Sequence, residues 1–503
     1  MTRLIRNQGN IALWSIILIG IVLRFLPGLQ AGFPLNDGGM FLSMIRDLRA
    51  SYLMLPAVTS YNLSDIPFAY PPFGFYIAAL FSGWFGLSDI ELLRWLPAIA
   101  GAGIVPVFYW LSLRIFRDAT KSFIAVVFAA FLPGSFDWLI MGGGLTRAFG
   151  ILFFLAGIGH ALVLFRDGVR KSLWFAILFC ALAILSHPEV GLQAAGICFL
   201  LWLLFGRNRE GVKNAILAGL GTVLLTSPWW TAILLQHGFE PFASALQTGI
   251  RERLTASLFH SFFSTQGGLP ILPVLTLLGL FVTLRRRRYL FFGWAFLPFF
   301  LDPRNAPAIA MYAFILLSSE GLYFLRDVLD KGKPADRKVR YILNSVFALL
   351  TAFLFWNCFT SAGDFSRVSL TEADRATMAW VRDNTSKDAQ FLLLTNSGGV
   401  SPMVDAYQEW FPALAERHSQ NTLQGREWTL GAQFYEYSLE LMDLQACEDV
   451  ACLREWGEDQ DIQIDFLLLR PGYVRPTLVV SIRTDNALQV VYESGVAVIF
   501  ENK

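Results

Sequence analysis

Apolar residues in this chain gather in long runs separated by short polar breaks. Runs of about 20 residues match the length of a helix that crosses a hydrocarbon core. Eleven are read, at 10–28, 95–114, 122–140, 145–165, 172–186, 189–206, 214–235, 269–284, 289–301, 305–325 and 341–360. The breaks "RIFRDATK" (114–121), "RDGVRK" (166–171), "RNREGVK" (207–213), "RRRR" (285–288) and "RDVLDKGKPADRKVR" (326–340) are all basic. By the positive-inside rule they belong in the cytoplasm, which puts the N-terminus inside and residues 361–503 outside a cell membrane. No small-residue cleavage site follows the first run, so it is expected to stay as the first span.

A further apolar stretch, "YPPFGFYIAALFSGWFGL" (70–87), would invert every later loop if it crossed. Its prolines and aromatics suit the outer interface. Residues 29–94 then form one long first external loop, with a short amphipathic helix near 40–53 and Asp37 at its start.

Beyond residue 360 the pattern changes. "TEADRATMAWVRDNT" (371–385) has helical periodicity, while "QFLLLT" (390–395) and "IDFLLLR" (464–470) read as buried strands. "LQVVYESGVAVIFEN" (488–502) reads as a hairpin around Glu493-Ser494-Gly495. The expected fold is a polytopic α-helical membrane domain over 1–360, with about eleven transmembrane helices, followed by an extracytoplasmic α/β domain over 361–503.

Composition agrees: 55% of the 503 residues are hydrophobic, 15% aromatic and only 16% charged, values foreign to soluble domains. The net charge of +1, with aromatics in apolar runs instead of among basic patches, gives no footprint for a nucleic-acid partner. Cys447 and Cys452 fall in the external part, where an oxidising compartment would let them pair, whereas Cys180, Cys198 and Cys358 lie in spans and read as packing residues. No zinc-ligand spacing, phosphate-binding loop or dinucleotide fingerprint occurs.

The chemistry-bearing residue at the membrane edge is Asp37, in "FPLNDGGMF". One reading makes it the N-cap of the amphipathic helix, a position Asp favours. The other comes from a resemblance. An acid in a long loop after the first span, followed by "FGLSDIELLRWLPAIAGAGIVPVFYWLSLRIF" (85–116) and "AVVFAAFLPGSFDWLIMGGGLTRAFGILFFLAGIGHAL" (125–162), resembles the membrane glycosyltransferases of the GT-C superfamily over roughly the first 240 residues. Oligosaccharyltransferase catalytic subunits and protein mannosyltransferases are its distant relatives.

The resemblance implies an inverting transfer of a sugar from a polyprenyl-phosphate donor to a glycan, lipid or protein acceptor, for a cell-envelope or other external product. Asp37 would be the general base, taking the acceptor's proton. The leaving lipid phosphate needs cations at the same depth, and Arg24 and Arg147 are the candidates. For Arg147 the alternative is a snorkelling interface residue. Oligosaccharyltransferases also bind a divalent metal through acids in the first loop and at the start of the fourth span. Here the second place reads Leu145-Thr146-Arg147 and the first has a single Asp-Gly-Gly, so no metal or other cofactor is expected, an arginine standing in for the cation.

Secondary candidates for acceptor or donor contact are His187 and Glu189 in "SHPEVG", Arg251 on an interfacial segment over 236–268, and Trp410 in "YQEWFPALAERHSQNTLQGREW". Each has a plainer alternative, respectively a polar turn, a solvated face and core packing. Two rival functions remain open: a transporter or flippase of lipid-linked sugars, although inverted repeats and midplane charges are not found, and a non-catalytic membrane assembly protein in which Asp37 is only a cap.

Overall fold

The computed structural model describes residues 2–248, 271–331 and 337–503. Helix α1 (Thr2–Ala31) leads into a first loop that carries α2 (Gly39–Ala50) and α3 (Phe73–Phe85). The bundle continues through α4 (Asp89–Phe116), α5 (Ala119–Phe131), α6 (Gly144–Asp167), α7 (Lys171–Ser186), α8 (Pro188–Phe205) and α9 (Arg209–His237). After α10 (Glu240–Thr248) come α11 (Ile271–Arg285), α12 (Tyr289–Leu301), α13 (Ala306–Lys331) and α14 (Arg337–Ser366).

Each expected span coincides with a helix. Among the described residues seven helices are long and apolar enough to cross a membrane, while α3, α5, α7, α11 and α12 are shorter apolar helices. The third expected span, 122–140, needs correction, because α5 stops at Phe131. Pro133 has no N–H to continue the ladder and biases Leu132 away from helical torsions. The apolar run "LPGSFDWLI" then makes two 3-10 turns, Pro133–Ser135 and Asp137–Leu139.

The C-terminal part is α/β. Thr371 and Asp374 form a reciprocal capping box that starts α15 (Glu372–Asn384). Strand β1 (Gln390–Leu394) is followed by α16 (Ala406–Ala415), the short β2 (His418–Ser419), α17 (Phe434–Gln445), α18 (Val450–Asp459), β3 (Phe466–Leu469), α19 (Pro476–Thr484), β4 (Leu488–Glu493) and β5 (Val498–Asn502). They make a five-stranded sheet in the order β2-β1-β3-β5-β4. β1 pairs in parallel with β2 and β3, and the β4–β5 hairpin adds antiparallel to β3. Cys447 and Cys452 are joined by a disulfide.

Period-two alternation decides what each sheet face covers. Leu392 and Leu394 point into a core shared with α17, α18 and α19. Phe391 and Leu393 point the other way, into a core shared with Phe41, Leu42 and Ile45 of α2 and with Phe75 and Ala78 of α3. The first loop and the C-terminal sheet therefore share one hydrophobic core, which also takes in Leu93 of α4, Leu145 of α6 and Ile233 of α9. Within the apolar 70–87 stretch the helix is α3, whose buried Phe75 and Ala78 belong to this second core and which packs on α2, α4 and α6.

Candidate functional site

The turn Pro34–Gly38 is held from three sides. Asn36 N–H donates to Val368 O at 3.2 Å, and Ser369 Oγ donates to Pro34 O at 3.1 Å. From the second side, Gly142 N–H donates to Leu35 O at 2.9 Å. A β-carbon on Gly142 would lie 1.8 Å from the Asp37 carbonyl oxygen, and one on Gly143 would lie 2.3 Å from Asp37 Oδ2. Gly142 and Gly143 are thus the gap that admits the turn. Gly38, at φ 136°, needs glycine for its torsion as well.

The third side comes from α16. Glu409 Oε2 accepts from the N–H groups of Gly38 (3.0 Å) and Gly39 (2.9 Å), and Oε1 accepts from Met40 (3.0 Å). The first turn of α2 is therefore capped by a carboxylate 371 residues along the chain. Trp410 Nε1 donates to Asn36 O at 2.7 Å, and Tyr61 Oη donates to Glu409 O at 2.6 Å. Burial, then the negative charge of Asp37, pushes Glu409 up to about 7 against the pull of its three N–H donors.

This arrangement decides between the two readings of Asp37 as far as capping goes. The α2 N-cap is Gly38, with no side-chain cap, and Glu409 supplies the acceptors. Asp37 turns the other way, to α6: Oδ1 accepts from Gly143 N–H at 2.8 Å and Oδ2 from Arg147 Nη2 at 3.1 Å. Arg147 lies over the Trp138 ring at 4.4 Å. The pair is only partly shielded, with side chains 22% (Asp37) and 16% (Arg147) exposed, and Arg147 Nε has no protein partner.

One turn further along α6, Gly150 packs on His187, where an added β-carbon would meet His187 Cβ at 3.0 Å. His187 Nδ1 stands 3.6 Å from Glu189 Oε2 without a hydrogen-bond partner. Burial, and then the Arg147 and Arg304 guanidiniums, push His187 down to about 3, so the ring is neutral and the contact is no ion pair. Glu189 Oε2 instead accepts from Asn305 Nδ2 at 2.7 Å, and Asn305 also donates to Asp302 at 3.1 Å. Across from them Tyr70 Oη donates to Glu427 Oε1 at 3.1 Å. Arg304 lies within electrostatic reach of His187, Glu189, Asp302, Tyr70 and Glu427. Burial pushes both Asp302 and Glu427 up.

Four expected residues, Asp37, Arg147, His187 and Glu189, thus meet in one cluster. Two do not. Arg24 is fully buried, and its guanidinium donates to Gly20 O (2.6 Å), Ala129 O (2.8 Å) and Ala130 O (3.3 Å). It satisfies the carbonyls orphaned at the end of α5 and has no access to a lipid phosphate, which corrects its expected role. Trp410 is also fully buried, with its N–H spent on Asn36 O and its ring against Phe33 at 4.8 Å, so it pins the turn and offers no face to a sugar. Arg251 lies outside the described residues.

The sequence reading missed Asp302, Arg304 and Asn305, although "LDPRNAP" is a short polar break bounded by apolar runs, a pattern that marks a functional edge. Glu409 and Glu427 had no local pattern to reveal them. At Asp37 one oxygen faces a backbone donor and the other a guanidinium. Among the described residues no three His, Cys, Asp or Glu side chains converge on a metal-sized site.

Solved structures align with the chain over almost its whole length. The archaeal oligosaccharyltransferase AglB from Archaeoglobus fulgidus, solved with an inhibitory peptide and a dolichol-phosphate, aligns over 99% of this chain and 74% of its own at 14% identity, with a TM-score of 0.60. ArnT from Cupriavidus metallidurans, solved bound to undecaprenyl phosphate, aligns over 97% of both chains at 15% identity and TM-score 0.54. The arabinofuranosyltransferase AftD from Mycobacteria aligns over 97% of this chain and 40% of its own at 15% identity and TM-score 0.55. No family model matches the sequence, and no curated protein matches it either. The chain has the GT-C fold.

Proposed function

We propose that this protein is a membrane glycosyltransferase that moves a sugar from a polyprenyl-phosphate donor to a glycan, lipid or protein acceptor on the external face. In this reading the eleven bundle helices that match the expected spans cross the membrane, the N-terminus is cytoplasmic, and the cluster at the junction of the first loop and the sheet is the reaction site. The observation that carries it is that Asp37 does not cap α2. A carboxylate left partly accessible, aimed by one N–H and one guanidinium, is a general base waiting for a proton donor.

Asp37 takes the acceptor's proton as its oxygen attacks the anomeric carbon, and the bond from that carbon to the lipid phosphate breaks in the same displacement, inverting the centre. The phosphate leaves with an added negative charge. Arg147 and Arg304 are the cations that meet it, Arg304 replacing Arg24 in this role. Neutral His187, with Nδ1 unpaired, offers a further polar contact to the sugar or phosphate. AglB and ArnT, which share the fold, were solved with lipid phosphates, and this supports the donor class.

The test is lipid-phosphate release from purified protein given a panel of polyprenyl-phosphate sugars. Asp37→Asn should lose on the order of 10²–10⁴-fold in turnover while its thermal midpoint hardly moves. Near-normal turnover in a stable Asp37→Asn protein would overturn the assignment.

A further inference from the structure

We propose that the arginine turn between α11 and α12, residues 285–288, binds the headgroup of an anionic phospholipid at the end of the bundle away from the sheet. The inference rests on the bundle helices crossing a membrane and is independent of the transferase chemistry.

The turn is fixed by its own backbone. Arg286 N–H donates to Val282 O at 3.1 Å, Arg287 N–H to Leu284 O at 2.9 Å and Arg288 N–H to Thr283 O at 2.8 Å. Four guanidiniums therefore leave one short, hydrogen-bonded turn. Arg287 stands at φ 57°, a left-handed torsion at which glycine or asparagine is the easier residue. The chain keeps a positive charge there at a conformational cost.

The charges of this turn are not balanced. Buried Glu320 frames it from inside, with Arg288 Nη1 at 2.8 Å, Arg286 Nη1 at 3.7 Å and, from α5, Lys121 Nζ at 2.8 Å. One carboxylate is thus shared by three cations. The guanidiniums of Arg285 and Arg287 have no hydrogen-bond or ion-pair partner among the described residues, and both side chains are exposed. The other basic breaks, "RIFRDATK", "RDGVRK", "RNREGVK" and "RDVLDKGKPADRKVR", each contain an acid, whereas "RRRR" contains none. Orientation in the membrane asks only for an excess of basic residues on one side. Two unpaired guanidiniums on a fixed turn go further, because their planar forks match the oxygens of a phosphate.

The neighbouring side chains choose a lipid over a soluble anion. Phe281 and Leu284 of α11 and Tyr289 and Phe292 of α12, on either side of the turn, are exposed and apolar. Phe281 and Arg285 are four residues apart on α11 and so share a helix face. A ligand seated at the guanidiniums therefore meets apolar surface about one helical turn away. Charge beside an apolar wall fits a phosphodiester that carries acyl chains, and basic clusters at helix ends are where anionic headgroups bind.

The experiment takes the full-length protein in neutral detergent, adds phosphatidylglycerol or phosphatidylcholine, and counts retained lipid by native mass spectrometry. Phosphatidylglycerol should be retained about tenfold better than phosphatidylcholine. Arg285→Gln and Arg287→Gln together should weaken its retention about thirtyfold, at roughly fivefold per guanidinium. Arg287→Gly suits the left-handed torsion, so its roughly fivefold loss is not a folding defect. Arg367→Gln, at the sheet end and 83% exposed, should leave retention unchanged. Equal retention of the two lipids, retention that the arginine-turn variants do not alter, or an equal loss in Arg367→Gln would overturn the proposal. Displacement of the lipid by inorganic phosphate at matched concentration would also overturn it, since the turn would then hold a free anion. Retention is read without any sugar donor, so a protein that releases no lipid phosphate yet shows these losses would uphold the site and count against the transferase alone.

Discussion

The protein carries two clusters of acid and base at opposite ends of its bundle, and they differ in what they leave unspent. At the end away from the sheet, Glu320 is fully buried and saturated: Lys121 Nζ lies 2.8 Å from Oε2, Arg288 Nη1 2.8 Å from Oε1 and Arg286 Nη1 3.7 Å from Oε2. Lys121 also stands 4.7 Å over the Tyr323 ring. At the sheet end, Asp37 keeps partial exposure, Arg147 Nε and His187 Nδ1 have no partners, and four carboxylates share two guanidiniums. A buried ion cluster whose valences are all used holds helices together. One that keeps accessible or unpaired atoms has capacity for a ligand.

Crossing the two clusters tests that contrast most strongly. Asp37→Asn should cost on the order of 10²–10⁴-fold in turnover with little loss of stability, because the amide oxygen still accepts from Gly143 N–H. Glu320→Gln should do the opposite. It strands buried Lys121, and breaking a buried pair costs about 3–5 kcal/mol. Thermal unfolding and turnover per folded molecule, measured on both variants, check the pair. A Glu320→Gln protein of normal stability and reduced turnover would erase the distinction between the two ends.

A smaller effect separates Glu409, which supports the site, from Asp37, which belongs to it. In Glu409→Gln one amide oxygen faces three N–H donors and the amide nitrogen faces at least one of them, so a buried donor goes unpaired at a cost of about 1–3 kcal/mol. The pH dependence gives the sign. Folded Glu409 sits at about 7 against an ordinary 4.5. Between these values the folded protein holds a proton that the unfolded chain has released, so this contribution is complete below about 4.5 and is lost as pH rises through about 7. The gap in thermal midpoint between native protein and Glu409→Gln should therefore narrow from pH 5 to pH 8. A gap that widened would contradict the raised value.

How much of this was legible in the sequence depended on range. The strands at 390–394 and 466–469, the hairpin over 488–502 and the α15 helix follow local patterns, and the bundle helices overlap the apolar runs, α5 ending short of its run. Asp37 and Arg147 could be chosen because an acid and a base at a membrane edge are locally anomalous. Arg24 was equally anomalous, yet side-chain depth alone could not tell a helix-end carbonyl from a phosphate. Glu409 was invisible because capping normally comes from the residue just before a helix, and here it arrives from the other end of the chain. The apolar run over 122–140 outlasts its helix because Pro133 ends the hydrogen-bond ladder inside it.

The smallest expected effect concerns metal, and its size is the point. The sheet-end cluster is acid-rich, so charge alone would welcome a divalent cation. Geometry opposes it. Asp37 presents its oxygens to Gly143 N–H and Arg147, and the acids Glu189, Asp302 and Glu427 are engaged by Asn305 and Tyr70. Hard cations such as magnesium need several oxygen ligands at about 2.0–2.1 Å, and Arg147 already engages one Asp37 oxygen. Chelation of divalent ions should accordingly leave turnover unchanged, and Arg147→Ala should cost activity that added magnesium or manganese does not restore. Loss of turnover with chelator, recovered by either ion, would mean that the arginine and the metal act together, and the sheet-end cluster would then be a cation site that Arg147 only borders.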